Sequence, residues 1–250
     1  MWRSNKLLWV PLVLLILGIS QPISTKFMPE ILSAAGNIPE ELIQQLAHPL
    51  PGEVMVQVIS QYHMIGVIVI VLALMGVISG EIQHGIALHF MVKPISAYQY
   101  MMSKWLSAMT LILVSFLLGY AGSWYYTSIL IGAVDLQGAL LGGVYSLIWM
   151  LFAGTLIVAS SGLVKQPAGG AAITLGLVFA ITVMSNIVPA AWKWYPGNLE
   201  DAAQHALMGQ PFSSGLWALL TVALLCVGVL IILVVRNQRR SSWIPDSTSI

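Results

Sequence analysis

The chain has 250 residues, of which 58% are hydrophobic and only 8% charged, and its mean hydropathy is +0.88. A soluble domain carries about a quarter charged residues, so these values exclude one and point to an integral membrane protein. The net charge of +1 is spread over short runs between apolar blocks, which excludes a nucleic-acid partner, and the single cysteine, Cys226, rules out a disulfide within the chain and Cys-x-x-Cys chemistry.

Six apolar blocks follow one another, each able to supply the roughly 20 helical residues that a bilayer core requires. They predict an all-α fold, one transmembrane domain over residues 1–250 with spans at 7–25, 57–80, 105–129, 139–161, 168–189 and 214–235. The first block follows Arg3 and Lys6 and so has the outline of a signal peptide, but no small-x-small cleavage site follows Gly18, which favours an uncleaved helix. After it, residues 39–47 form a short helical candidate closed by Pro49 and Pro51.

Between spans 2 and 3 lies the longest polar interruption, residues 80–105, with Glu81, His84, His89, Lys93 and Lys104 in a chain otherwise short of charge. Its first half suits about three helical turns carrying Ile82, Ile86 and Phe90 on one stripe. Pro94 ends that stretch, because proline has no N–H and clashes with the preceding turn. The run reads either as a surface helix presented to a soluble partner or as a plain connecting loop.

Further along, Gly138 and Gly142 are spaced for close helix packing, as are Gly76 and Gly80. Trp124, Tyr125 and Tyr126, then Trp192, Trp194 and Tyr195, and Tyr98, Tyr100 and Trp105 fall near span ends as interfacial anchors. Before span 6, Pro196, Gly197 and Asn198 lead into LEDAAQHALMGQ, a short amphipathic helix ending near Gly209. The tail from residue 237 onward is polar and reads as disordered.

With a cytoplasmic amino terminus, eight of the ten basic residues (Arg3, Lys6, Lys93, Lys104, Lys165, Arg236, Arg239, Arg240) fall inside and Lys26 and Lys193 outside. Both termini are then cytoplasmic. No phosphate loop is present, so any ATP hydrolysis belongs to another chain. Glu40 and Glu41 lack the companions of a membrane metalloprotease, and His48, His63, His84, His89 and His205 read as interfacial or packing residues. The span cores carry no charge, which argues against an ion-coupled carrier; Ser and Thr residues, with Ser185 and Asn186, supply the polarity there.

The order Glu81, Gly85, Pro94, Ser96 and Lys104 resembles the loop between the second and third membrane helices of type-2 ABC exporter permeases. Ile86 and Ala97 depart from the Thr and Arg common there, and only six residues precede Leu7, so the family's amino-terminal interfacial helix is missing or the start is late. The resemblance implies a cell-membrane exporter subunit with both termini cytoplasmic, paired with a second permease subunit and served by a cytoplasmic ATP-binding cassette ATPase that holds ATP and Mg. This chain itself is then neither an enzyme nor a holder of a cofactor or metal. It further implies a coupling helix over residues 81–93, with Glu81, His84, Gly85, Pro94 and Lys104 as partner-coupling residues, and outer-leaflet helices before span 6, with Pro196 and Asn198 as outer-gate candidates. A hydrophobic or amphipathic cargo suits the apolar lining. The competing reading is a non-transporting membrane protein with a regulatory or immunity role.

Overall fold

A computed structural model of the chain describes residues 5–34, 49–83, 97–164, 166–185, 187, 193–210 and 215–241, and helix is the only regular structure among them. The helices are α1 (Lys6–Ala34), α2 (Pro51–Gln61), a π-helical segment (Tyr62–Gly66), α3 (Val67–Leu74), α4 (Ser79–Gln83), α5 (Ala97–Leu130), α6 (Leu136–Leu163), α7 (Pro167–Ser185), α8 (Asn198–Leu207) and α9 (Gly215–Ser241). Five stretches are long and apolar enough to cross a membrane: Lys6–Ala34, Pro51–Glu81, Gln99–Leu130, Leu136–Leu163 and Pro167–Ser185. The sixth expected span corresponds to α9, a helix of 27 residues whose described apolar stretch is Gly215–Cys226.

The helices overrun the hydropathy boundaries. α1 reaches Ala34 with Pro11, Pro22 and Pro29 inside it. Proline removes one intrahelical hydrogen bond, a loss that neighbouring helices in a membrane bundle can make good. Its buried residues Val10, Leu14, Gly18 and Pro22 recur every fourth position, a narrow seam that α5 covers. At the crossing, a Cβ on Gly18 would lie 2.5 Å from the Gly119 carbonyl oxygen, and one on Gly119 would lie 2.7 Å from that of Leu14. Only glycines allow that approach. Tyr62 completes the contact, its hydroxyl donating to the Leu14 carbonyl at 2.9 Å.

α5 starts at Ala97 rather than near Trp105, because the polar run before the apolar block continues the same helix. α2, the π segment and α3 form the second span, which breaks at residues 75–78 and restarts as α4. The hydroxyl of Ser161 on α6 accepts from the backbone N–H groups of Ile78 and Ser79, both at 3.1 Å, and so satisfies donors that the break exposes. Gly76 and Gly80 lie at or beside this break without a tight contact: a Cβ on Gly76 would lie 3.9 Å from Pro167, and one on Gly80 meets no atom within 4 Å. Gly138 and Gly142 do mark a tight contact. Their absent side chains admit α8, with the Ala206 carbonyl oxygen 2.6 Å from where a Gly138 Cβ would sit.

α6 is the central helix, buried along most of its length and capped where the Asp135 carboxylate accepts from Gly138 N–H at 2.7 Å. Its Trp149, Met150, Phe152 and Ile157 fill the main core with Tyr62, Ile112 and Phe116. α1 and α7 instead turn Leu8, Leu12, Ile16, Leu177 and Phe179 outward, the apolar exterior of a multi-pass membrane protein. The expected helix over residues 39–47 lies outside the described residues, as do residues 84–96.

Candidate functional site

Two ends of the bundle carry the polar chemistry. At one end, α4 presents Glu81 to α5, where Tyr100 and Lys104 stand one turn apart and reach the same carboxylate. The Tyr100 hydroxyl donates to Glu81 Oε2 at 2.5 Å and the Lys104 ammonium donates to Glu81 Oε1. Lys104 Nζ also lies 5.6 Å from the centre of the Tyr100 ring. Charge-assisted bonds of this kind are the stronger ones, and here they tie the two sides of the loop mouth together while the side chains keep about a quarter of their exposure.

Of the five residues that the resemblance marks for coupling, the structure thus joins Glu81 to Lys104. The Glu81 charge is met within the chain. His84, Gly85 and Pro94 lie outside the described residues.

At the other end, α8 lies across the bundle. It begins at Asn198, which is buried, after a turn in which Leu199 N–H donates to the Pro196 carbonyl at 3.2 Å. Its buried residues Leu199, Ala202, Ala203 and Leu207 seat it on α2 and α6, and Gly209, with φ +66°, ends it in the left-handed conformation that favours glycine. Trp194 leans on Trp217 at a tilt of 50° with ring centres 4.5 Å apart, and the Tyr195 hydroxyl donates to the Ile181 carbonyl, so the segment before α8 is anchored to α7 and α9. Burial pushes the Tyr195 hydroxyl above its ordinary value. Pro196 and Asn198 therefore form the entry turn and the first residue of a seated helix. An open groove of about 440 Å³ between α2 and α8 is walled by Glu53, Gln57, Asp201, Gln204, His205 and Gln210. Partial burial, then the neighbouring Glu200, raises the Asp201 carboxyl, with His205 opposing.

Beneath α8 the π-helical segment places His63 in the interior, with Nδ1 3.5 Å from Glu200 Oε2 and its ring 5.9 Å from that of Trp149. An isolated histidine at a span end reads from sequence as a packing residue. The extra backbone residue of a π turn, which rotates His63 inward, leaves no signature in hydropathy, although π turns concentrate at functional sites. Among the described residues no group of three or more His, Cys, Asp or Glu side chains converges in a way that could hold a metal.

A curated relative, the uncharacterized transmembrane protein YxlG of Bacillus subtilis (strain 168), is 31% identical over 241 residues, covering 96% of this chain and 93% of that protein. Residues 1–206 match the family described as ABC-2 family transporter protein. A core without buried Asp, Glu, Lys or Arg among the described residues, stretches long enough to span the membrane and a polar loop mouth between the second and third of them agree with that match: the chain is a membrane subunit of the ABC-2 transporter family, whose members work with an ATP-binding cassette ATPase.

Proposed function

We propose that this chain is the permease subunit of an ATP-driven exporter, with six spans, both termini cytoplasmic, and residues 81–93 as the coupling helix. The sixth span is α9, whose apolar sequence continues to residue 235. In this reading the Glu81 end is cytoplasmic, α8 lies at the outer leaflet, and ATP and Mg are held by a separate ATPase that closes on the loop. A second permease subunit, identical or related, completes the path for a hydrophobic or amphipathic cargo. Pro196 and Asn198 shape its outer exit.

The observation that carries this reading is the Glu81, Tyr100 and Lys104 cluster. A passive connector gains little from a partly buried carboxylate held by two donors, whereas a transmission element requires the two roots of the loop to move as one body. Glu81 thus acts as the brace of the coupling loop, with His84, Gly85 and Pro94 supplying its contact surface and exit angle.

The test is co-expression with a cognate ATPase. Wild-type chain is expected to co-purify with it as a four-subunit complex, and Glu81→Lys to keep wild-type membrane levels while ATP turnover in the complex falls about tenfold or more. Wild-type association, turnover and export in both Glu81→Lys and Gly85→Trp would reduce the loop to a connector. A chain that recruits no ATPase at all would favour the regulatory reading instead.

A further inference from the structure

Among the described residues, Gln61 Oε1, both ring nitrogens of His63, Ser146 Oγ and Trp149 Nε1 are buried without a hydrogen-bond partner, enclosed within the bundle. The imbalance that reaches the surface is one of charge. It lies at the Glu81 end, where α1 begins.

The seam between α1 and α5 ends there in two lysines. On α1 the buried Val10, Leu14, Gly18 and Pro22 follow one another at every fourth position, and Lys6 is the preceding member of that series. On α5 the facing side includes Ala108, Ile112 and Gly119, and Lys104 continues it one turn before Ala108. As the first and third spans, the two helices run in the same direction from this end. Both lysines therefore lie roughly 20 Å back from the crossing of Gly18 and Gly119, at 1.5 Å per residue. Lys6 is half-buried and within range of the Lys104 charge.

The charges at this end do not cancel. Glu81 takes the Lys104 ammonium, and among the described residues it is the one Asp or Glu here, because Glu30, Glu53, Asp135, Glu200 and Asp201 all lie toward the α8 end. Lys6 has no carboxylate partner among the described residues. α9, which starts against Ala202 of α8, carries Arg236, Arg239 and Arg240 in its last turns and so adds further positive charge on this side. Two ammonium groups and one carboxylate leave the seam with one positive charge in excess. Like charges held together repel, and partial burial weakens the screening by water. An anion between them replaces that repulsion with two attractions.

The surroundings select what carries the anion. Leu7, Leu8 and Trp9 beside Lys6, and Leu106 beside Lys104, are exposed apolar side chains, so the seat opens toward lipid. A phospholipid sets its phosphate at the level where a span ends and lays its acyl chains along such a strip. Its phosphodiester carries one negative charge, which matches the excess. We propose that Lys6 and Lys104 seat the phosphate of an anionic phospholipid at the end of the α1 and α5 seam. A zwitterionic lipid brings its own cation, which the two lysines repel. The site needs neither cargo nor ATPase and stands apart from the permease reading.

The experiment uses the full chain in nanodiscs of phosphatidylcholine doped with phosphatidylglycerol of the same acyl chains, with retained lipid read by native mass spectrometry. The wild type is expected to retain phosphatidylglycerol over phosphatidylcholine. Lys6→Gln should lower that preference about fivefold, the usual worth of one lysine beside an anionic lipid surface, while Lys6→Arg keeps it. Lys26→Gln, which removes the same charge from the exposed far end of α1, should leave it unchanged. Thermal unfolding supplies a second readout: phosphatidylglycerol should stabilise the wild type and not Lys6→Gln, whereas in phosphatidylcholine alone the variant should be at least as stable. Equal retention of the two lipids by the wild type would overturn the site. An equal loss in Lys6→Gln and Lys26→Gln would also overturn it, by reducing the effect to net charge. Inorganic phosphate in molar excess is expected to leave the lipid in place; displacement would assign the seat to the free ion instead. A dimer mass without lipid that Lys6→Gln abolishes would give the seat to a second copy of the chain and overturn the lipid.

Discussion

At the residue scale, the polar side chains fall into satisfied and unsatisfied groups, and the satisfied ones do structural work. Glu81, Tyr100 and Lys104 close the mouth of a loop; Ser161 stands in for the turn of helix that the second span lacks. Asp201 behaves differently, because partial burial and Glu200 together raise its carboxyl in the folded chain. A raised folded value means that the folded state holds the proton more tightly. The stabilisation is complete below the ordinary value of 3.8 and is lost as pH climbs through the raised one. Thermal unfolding of the wild type measured against Asp201→Asn should therefore show the wild type gaining ground as pH falls from 7 to about 4. A difference that stays flat with pH would remove this role.

At the scale of elements, glycine placement decides which helices meet. The crossing of α1 and α5 at Gly18 and Gly119 brings backbone against backbone, with the Tyr62 hydroxyl only 2.4 Å from where a Gly119 Cβ would sit. Overfilling a packed contact of this kind costs about 1–3 kcal/mol, so Gly119→Ala should unfold earlier in denaturing detergent, while Gly80→Ala, at an open position, should behave as wild type. Sequence spacing pointed to Gly138 and Gly142, where α8 docks, and equally to Gly76 and Gly80, where no neighbour comes closer than the 3.9 Å of Pro167 to a Gly76 Cβ. It passed over Gly18 and Gly119, which lie on different helices and share no spacing. A pair contributed by two helices has no period to read. The same limit explains His63: its surroundings depend on a π turn and on Trp149, 86 residues further along the chain. The α8 helix was legible because its cue is local, an amphipathic decapeptide between a Pro-Gly turn and Gly209.

At the scale of the molecule, composition alone established a helical membrane protein, since the apolar runs leave no other way to satisfy the backbone in lipid. Helix ends were less legible, because hydropathy marks where the apolar side chains stop and the backbone ladder continues past them, as α1 and the first turns of α5 do. The proposed orientation is open to direct measurement. In a Cys226→Ala background, single cysteines replacing Glu41 and Gln204 should react with an impermeant thiol reagent on intact cells, and one replacing Ala97 should react only after the membrane is opened. Labelling of position 97 without 41 would invert the topology.

The α6 helix joins both ends of the protein: Ser161 in its last turn holds the break in the second span, and Gly138 in its first turn receives α8. At 28 residues it is a rod about 42 Å long. If the proposed coupling holds, a rod fixed at each tip would act as a connecting link and carry a shift at the loop root to α8 at the other end of the bundle. The Ser161 hydrogen bonds at one tip and the Gly138 backbone contact at the other would then set how faithfully one end follows the other.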